Sequence, residues 1–450
     1  MHPHPSPPNP PSPPLPPASP PASGSVITLA KGVGSADGIG AAAGFRGPRS
    51  VAVSSDNQYL YVADNGNHRI RQLHVPTLTI TTIAGRNRGY LDGVGTAALF
   101  ENPGGVLLSH DDMTLFVTTA THHVRQIDLS SRSVTTVAGC GSRSYVDGIG
   151  TDACFGGPTG MALSPDGRTL YVVERNNGVV RQVDLASRNV TNLVGQPPPI
   201  GNAYANGVGT LARFYRPRFA AITPDGTTLF VTDSGNNRIR RVDIATRQVS
   251  TLAGGGRGSA DGWLNQARFT QPEGVAVANG GATIYVSDNN NNKIREIEIT
   301  SETAGRVTTL AGSGIQGYAD GTGVNALFGS PRGIAIAPDG GALYVADFTN
   351  HAIREVTLAM RRTRPAAPLH TNARDAADVL SHDTGSTAAF ATTLANPSSF
   401  AAIIAITANV ANVATLSANA HGPVRSALQQ RALRLRHQRK LPLIPVLQRE

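Results

Sequence analysis

Residues 26–30 read Val-Ile-Thr-Leu-Ala, and strings of the same type return at 81–85, 135–139, 191–195, 250–254 and 308–312. Each of the later five closes a repeated unit. The first one precedes every unit. At the end of the sixth unit, where a matching string is due, the chain reads Ala359-Met360-Arg361-Arg362 instead. A linear stack has no need to begin with the strand that its last unit lacks. A ring does, because the N-terminal strand then completes the final unit and locks the circle. Four strands per unit, six units and one permuted strand predict an all-β, six-bladed β-propeller.

The units are marked by Phe45, Phe100, Phe155, Phe214, Phe269 and Phe328, each three residues before a proline: Pro48, Pro103, Pro158, Pro217, Pro272 and Pro331. After the proline comes a short apolar strand, as in Ser50-Val51-Ala52-Val53 or Gly333-Ile334-Ala335-Ile336. Turn signals such as Ser164-Pro165-Asp166-Gly167 follow, with proline presetting φ and glycine allowing a positive one. A second strand, Leu60-Tyr61-Val62-Ala63-Asp64 in the first unit, keeps an aromatic at its second position throughout: Tyr61, Phe116, Tyr171, Phe230, Tyr285 and Tyr344. A third strand carries Ile70-Arg71, Val124-Arg125, Val180-Arg181, Ile239-Arg240, Ile294-Arg295 and Ile353-Arg354. Closure of such an array leaves only short, protected sheet edges.

The strings Asp64-Asn65-Gly66-Asn67-His68-Arg69-Ile70-Arg71 and Asp233-Ser234-Gly235-Asn236-Asn237-Arg238-Ile239-Arg240, each followed by a Thr-Ile/Leu-Ala-Gly strand, resemble NHL repeats. The resemblance covers residues 25–360. The second unit departs from it, with Thr119 at the acidic position, and the third carries Glu174 and Gly178 where others have Asp and His or Asn. Residues 1–24 are proline-rich, read as an extended linker, and resemble the Ser-Pro-Pro segments of plant and algal cell-wall glycoproteins. Residues 361–450 are Ala- and Arg-rich and are read as a mostly disordered tail.

The chain has 450 residues and a net charge of +9, unevenly placed. Residues 25–360 hold 28 Lys+Arg against 26 Asp+Glu, so the repeat body is nearly neutral and the basic excess belongs to the tail. Nucleic acid is therefore a poor partner for the propeller. No signal peptide is visible. The best apolar run, Phe400 to Leu416, is broken by Asn409 and Asn412, so no membrane span is expected. The two cysteines, Cys140 and Cys154, share one connection between units and are read either as a disulfide or as two free thiols.

The second-to-third-strand turns and the long links between units are expected on one face of the disc, where loops on a rigid scaffold usually bind. The repeated pairs Asp64 with Arg71, Asp233 with Arg240, Asp288 with Arg295 and Asp347 with Arg354 are read as structural ion pairs across a hairpin. Arg125, opposite Thr119, then lacks a local acid. The Asp-Gly steps in the links are read as turns rather than as calcium loops, since one carboxylate per link falls short of the six oxygens calcium needs. His68, His122 and His351 occupy equivalent turns in neighbouring units. The lyases that amidate peptides use related propellers with histidine-bound zinc, so these three are a weak zinc alternative; turn hydrogen bonding is the reading preferred.

The units differ most at the residue after the repeat proline: Arg49, Gly104, Thr159, Arg218, Glu273 and Arg332. These begin the innermost strands at the mouth of the central channel, with Arg46 and Arg216 adjacent. Convergent arginines suit a carboxylate or phosphate. No nucleophile elbow, Walker loop or Cys-x-x-Cys pair is present. The reading is a non-enzymatic scaffold that binds a protein or small anionic ligand on the link face, with no cofactor. A lyase or hydrolase with zinc or calcium in the channel is the alternative, and RNA binding the second.

Overall fold

The computed structural model describes residues 22–198, 204–278, 280–299 and 305–358. The proline-rich stretch up to residue 21 and the tail beyond 358 lie outside the described residues. What is described is all-β: six antiparallel sheets arranged as the six blades of a propeller, joined by links of which five carry a short 3-10 turn. Among the described residues no helix is long and apolar enough to cross a membrane.

The first blade shows the plan. Its inner strand is Pro48–Val53, its second Tyr59–Asp64, its third Arg69–His74 and its outer strand Thr79–Ala84. In the sixth blade, Pro331–Ile336, Ala342–Asp347 and Ala352–Thr357 are completed by Ser25–Lys31, with Val26 opposite Val356 and Thr28 opposite Arg354. The displaced N-terminal strand thus closes the ring, as the register of the sequence repeats requires.

A fifth, two-residue strand was not anticipated. Gly38–Ile39 pairs with the outer strand of the first blade, and each later link does the same for its own blade. The link therefore covers the outermost edge, where unpaired N–H and C=O groups would otherwise be exposed.

The apolar core lies between blades rather than within them. Each junction has its own cluster of buried side chains. At the first junction, Tyr61, Ala63 and Ile70 of one blade pack with Phe100, Val106 and Leu115 of the next. The second strand is buried on both faces, which explains why it reads Leu-Tyr-Val-Ala rather than alternating with polar residues.

Beside each junction lies a fully buried arginine. Arg71 Nη1 donates to Asp64 Oδ2 at 2.9 Å and to the Gly44 carbonyl at 2.8 Å. Its Nη2 donates to the Ala36 carbonyl at 2.7 Å and to Asp37 Oδ1 at 2.8 Å. The guanidinium also lies 5.6 Å from the Phe45 ring centre. A bulge in the outer strand faces each such arginine, and bulges redirect side chains. The link aspartates are therefore acceptors for the arginine, not only turn residues. Asp37 also accepts from the backbone and hydroxyl of Thr82, tying link, third strand and outer strand together.

The second blade corrects one expectation. Arg125 lacks an acid at Thr119 but is compensated from the link: Asp92 Oδ1 accepts from its Nε at 3.1 Å and its Nη2 at 2.6 Å. In the other five blades the corresponding Nε has no hydrogen-bond partner. Arg125 has turned its guanidinium edge toward the one carboxylate it has.

Candidate functional site

The links and the second-to-third-strand turns share one face, as the alternation of strand direction demands. In the first blade, Asn67 Nδ2 donates to Asp64 in its own turn at 2.8 Å, and Arg69 Nη1 donates to the Ser35 carbonyl of the link at 2.7 Å. Two sets of sequence-predicted residues resolve on this face as architecture, and a third gathers into a site.

The paired acids and arginines are the first set. Asp64–Arg71, Asp233–Arg240, Asp288–Arg295 and Asp347–Arg354 meet at 2.7–2.9 Å with no exposure on either side chain. Glu174 does the same for Arg181.

The histidines are the second set. Three different junctions receive them. His68 Nδ1 accepts from the Asn102 amide at 3.1 Å, His122 Nδ1 from Gly157 at 3.2 Å, and His351 Nδ1 from Gly47 at 2.9 Å. Asn237 and Asn292 do the same work with their side-chain oxygens, toward Gln271 and Ser330. Each staples its blade to the next, and a nitrogen accepting from an amide belongs to a neutral ring protonated on Nε2. Burial pushes His68 and His122 below the usual histidine range, and nearby arginines push in the same direction. Gly178, at this position in the third blade, has no side chain to reach across. Among the described residues, no group of three or more His, Cys, Asp or Glu is placed to hold a metal.

Cys140 and Cys154 are joined as a disulfide, with Cα atoms 4.9 Å apart, inside the link that leads to the third blade. The Cys154 carbonyl accepts from Arg181 of that blade.

The channel residues converge. Arg49, Glu273 and Arg332 lie at the starts of their inner strands, where the ladder is interrupted, whereas Arg218 stands two residues before its own, Ala220–Ile222. Glu273 sits between two of the arginines: Oε1 is 3.5 Å from Arg218 Nη2, and Oε2 is 3.8 Å from Arg332 Nε. These are ion-pair distances, too long for strong hydrogen bonds. Glu273 Oε2 and the Nε atoms of Arg49, Arg218 and Arg332 have no hydrogen-bond partner.

A fourth arginine, Arg175, joins this group from the turn of the third blade, and its Nε is likewise unpartnered. It was missed in the sequence. The signal was there: the residue after the second-strand acid is Asn65, Ala120, Ser234, Asn289 and Phe348 in the other units, so a charge at this position stands out. Arg46 and Arg216 do not belong to the well. Both are exposed, with Arg216 lying over the Tyr215 ring at 5.2 Å.

Four guanidinium groups against one carboxylate leave a local excess of three positive charges. Burial pushes Arg49 down to about 9; Glu273 opposes this, while Arg218, Arg332 and Arg175 add to it. A guanidinium stays protonated in proteins, so the shift registers burial of the charge first and crowding of like charge second. Burial resists ionisation of Glu273, but the summed field of the arginines outweighs it and holds the carboxyl below its usual range. Chemically, the arrangement is a set of unsatisfied donors around a single acceptor.

A depression of about 370 Å³ on the opposite face, between the fourth and fifth blades, is lined by Thr223, Asp225, Phe230 and Leu252 among others. It collects no comparable excess of charge.

The family model described as "NHL repeat" matches residues 45–73 and 328–355, the first and last blades. The chain is also 28% identical over 301 residues to the NHL repeat-containing protein 2 of Bos taurus, covering 60% of this chain and 41% of that protein. The chain carries NHL repeats. This NHL propeller is further similar to the Arabidopsis thaliana protein SUPPRESSOR OF QUENCHING 1, chloroplastic, at 28% identity over 295 residues, 63% of this chain and 28% of the relative. The NHL propeller thus spans well under half the length of these curated relatives. Among solved structures it resembles a Bacteroides thetaiotaomicron protein of unknown function, with TM-score 0.58 at 20% identity over 74% of this chain and 75% of that one. An auxiliary nutrient binding protein from the same organism gives a TM-score of 0.56 at 18% identity over the same shares. At that identity the likeness is one of fold.

Proposed function

We propose that this NHL propeller is a non-enzymatic binding scaffold whose channel mouth, on the link face, holds a small anionic ligand or an anionic group of a protein partner. The fold supports a scaffold or binding role. The finer reading rests on one observation: four arginines converge on Glu273 with four Nε donors and one carboxylate oxygen unpartnered. Packing three uncompensated charges together costs stability, and a carboxylate or phosphate would relieve it through charge-assisted hydrogen bonds.

The test is calorimetric titration of the full chain with inorganic phosphate and with succinate at low salt. One saturable site is expected, lost in Arg218→Ala. Glu273→Gln, which removes the competing internal carboxylate, should tighten binding about tenfold. Absence of saturable binding by either anion, or indifference to both substitutions, overturns the proposal. RNA remains a weaker reading because the repeat body is nearly neutral, with 28 basic and 26 acidic residues between 25 and 360.

A further inference from the structure

The junction between the sixth and first blades differs from its counterparts in a way that bears on what the anion carries. At two other junctions the residue after the second-strand acid closes the seam. Asn65 Nδ2 donates to the Pro103 carbonyl of the next blade at 2.9 Å, and Asn289 Nδ2 to that of Pro331 at 3.1 Å. The sixth blade has Phe348 there, which has no donor. An open depression of about 320 Å³ lies at this seam, lined by Arg46, Gly47, Gly66, Phe348 and His351 among others. Its wall is predominantly apolar.

Phe348 is only half-buried, and Arg332 lies against its face, with the guanidinium carbon 3.4 Å from the ring centre. The same Arg332 reaches toward Glu273 in the well. Phe348 thus joins the two: it forms one wall of the apolar depression and carries Arg332 of the charged well on its ring face. Gly47 keeps the depression open: its φ is +58°, and a Cβ there would stand 2.8 Å from Phe348 Cε2. His351 accepts from the Gly47 amide through Nδ1, which leaves its Nε2–H as a donor at the rim.

We infer that the anion bound in the well carries a ring or short apolar substituent, and that this substituent seats in the depression against Phe348. The ligand class is an aryl- or alkyl-bearing carboxylate or phosphate. The Arg332–Phe348 contact sets the geometry: an anionic group on that guanidinium has its substituent within reach of the aromatic wall. A partly exposed aromatic beside a desolvated cation is a surface that gains from being covered. The inference rests on the anion reading of the well.

The experiment is a paired titration of the full chain: phenyl phosphate against inorganic phosphate, and benzoate against acetate. Covering roughly 60 Å² of apolar surface predicts that each ring-bearing anion binds about tenfold tighter than its partner. Phe348→Ala should erase that advantage while leaving inorganic phosphate within about twofold, which also reports that the variant is folded. The two pairs separate phosphate from carboxylate as the preferred anion. If inorganic phosphate binds and the ring adds nothing, or if the advantage survives Phe348→Ala, the depression is not a subsite and the well stands alone. If no anion binds, the reading of the well falls and this one with it.

Discussion

Asp92 and Asp37 occupy the same place in successive links, yet their removal should have very different costs. Arg125 is fully buried and Asp92 is the one carboxylate bonded to it, through both Nε and Nη2. In Asp92→Asn the guanidinium keeps the carbonyls of Leu99 and Leu91, at 2.6 Å each, and one amide oxygen, but no counter-charge. Stranding a buried charge costs about 3–5 kcal/mol, and the partial exposure of Asp92 reduces this to about 2–3 kcal/mol. Arg71, by contrast, retains Asp64 when Asp37 becomes Asn. The loss there is the charge assistance of one hydrogen bond, about 1 kcal/mol. The fourth blade is a natural precedent: Asn206 accepts from Arg240 at 2.9 Å while Asp233 supplies the charge. Urea unfolding of both variants, followed by circular dichroism, should therefore show Asp92→Asn the less stable by about 1–2 kcal/mol. Adding Thr119→Asp to Asp92→Asn rebuilds the arrangement of the fourth blade and should recover most of the loss. Equal costs for the two single variants, or no recovery in the double, would refute the idea that these arginines need one carboxylate each and are indifferent to which link or strand provides it.

Two further outcomes follow from the same structure. His68 and His122 are held neutral with depressed affinity for protons, so their contribution is present above the unfolded histidine value of about 6.5 and is lost as pH falls through their lower folded values. The double variant His68→Asn and His122→Asn, copying Asn237 and Asn292, should unfold with a shallower loss of stability between neutral and mildly acidic pH; a parallel pH profile would count against the staple. The disulfide spans a separation of 14 residues, so Cys140→Ser with Cys154→Ser should cost about 3 kcal/mol on the chain-entropy account, read as a lower urea midpoint. No difference between that variant and the parent under non-reducing conditions would show that the link is already ordered by Arg181 and its neighbours.

The architecture was legible because it is periodic: the Phe-x-x-Pro marks, the aromatic of the second strand and the displaced Thr-Leu-Ala strand each depend on local spacing. The Asp64–Arg71 pair was legible for the same reason, being seven residues apart across one turn. Asp37 was not, because it reaches Arg71 from 34 residues away through the path of the link, and no spacing rule predicts that path. The histidines illustrate a similar gap. Their recurrence was read as turn hydrogen bonding, with shared zinc a weak alternative, but each partner lies in the following blade: His68 and His122 bond 34 and 35 residues on, and His351 bonds Gly47 across the closure of the ring. The channel arginines were found by asking where the units differ. Arg175 escaped because that question was put to the residue after the proline and not to the residue after the acid.

The strand that closes the ring is the first made and the last used. Val26 pairs with Val356, and Thr28 bonds to Asp320 across 292 residues. At roughly 5–20 residues per second, the ribosome needs on the order of 15–65 s to supply the partner of a strand already synthesised. Through that interval Ser25–Lys31 has no sheet to join, and the growing array presents an unsealed edge at each end. The circle that leaves the finished protein only short, protected edges thus makes its birth the period of greatest exposure. Docking of this seven-residue strand is the kind of long-range step that topology makes slow.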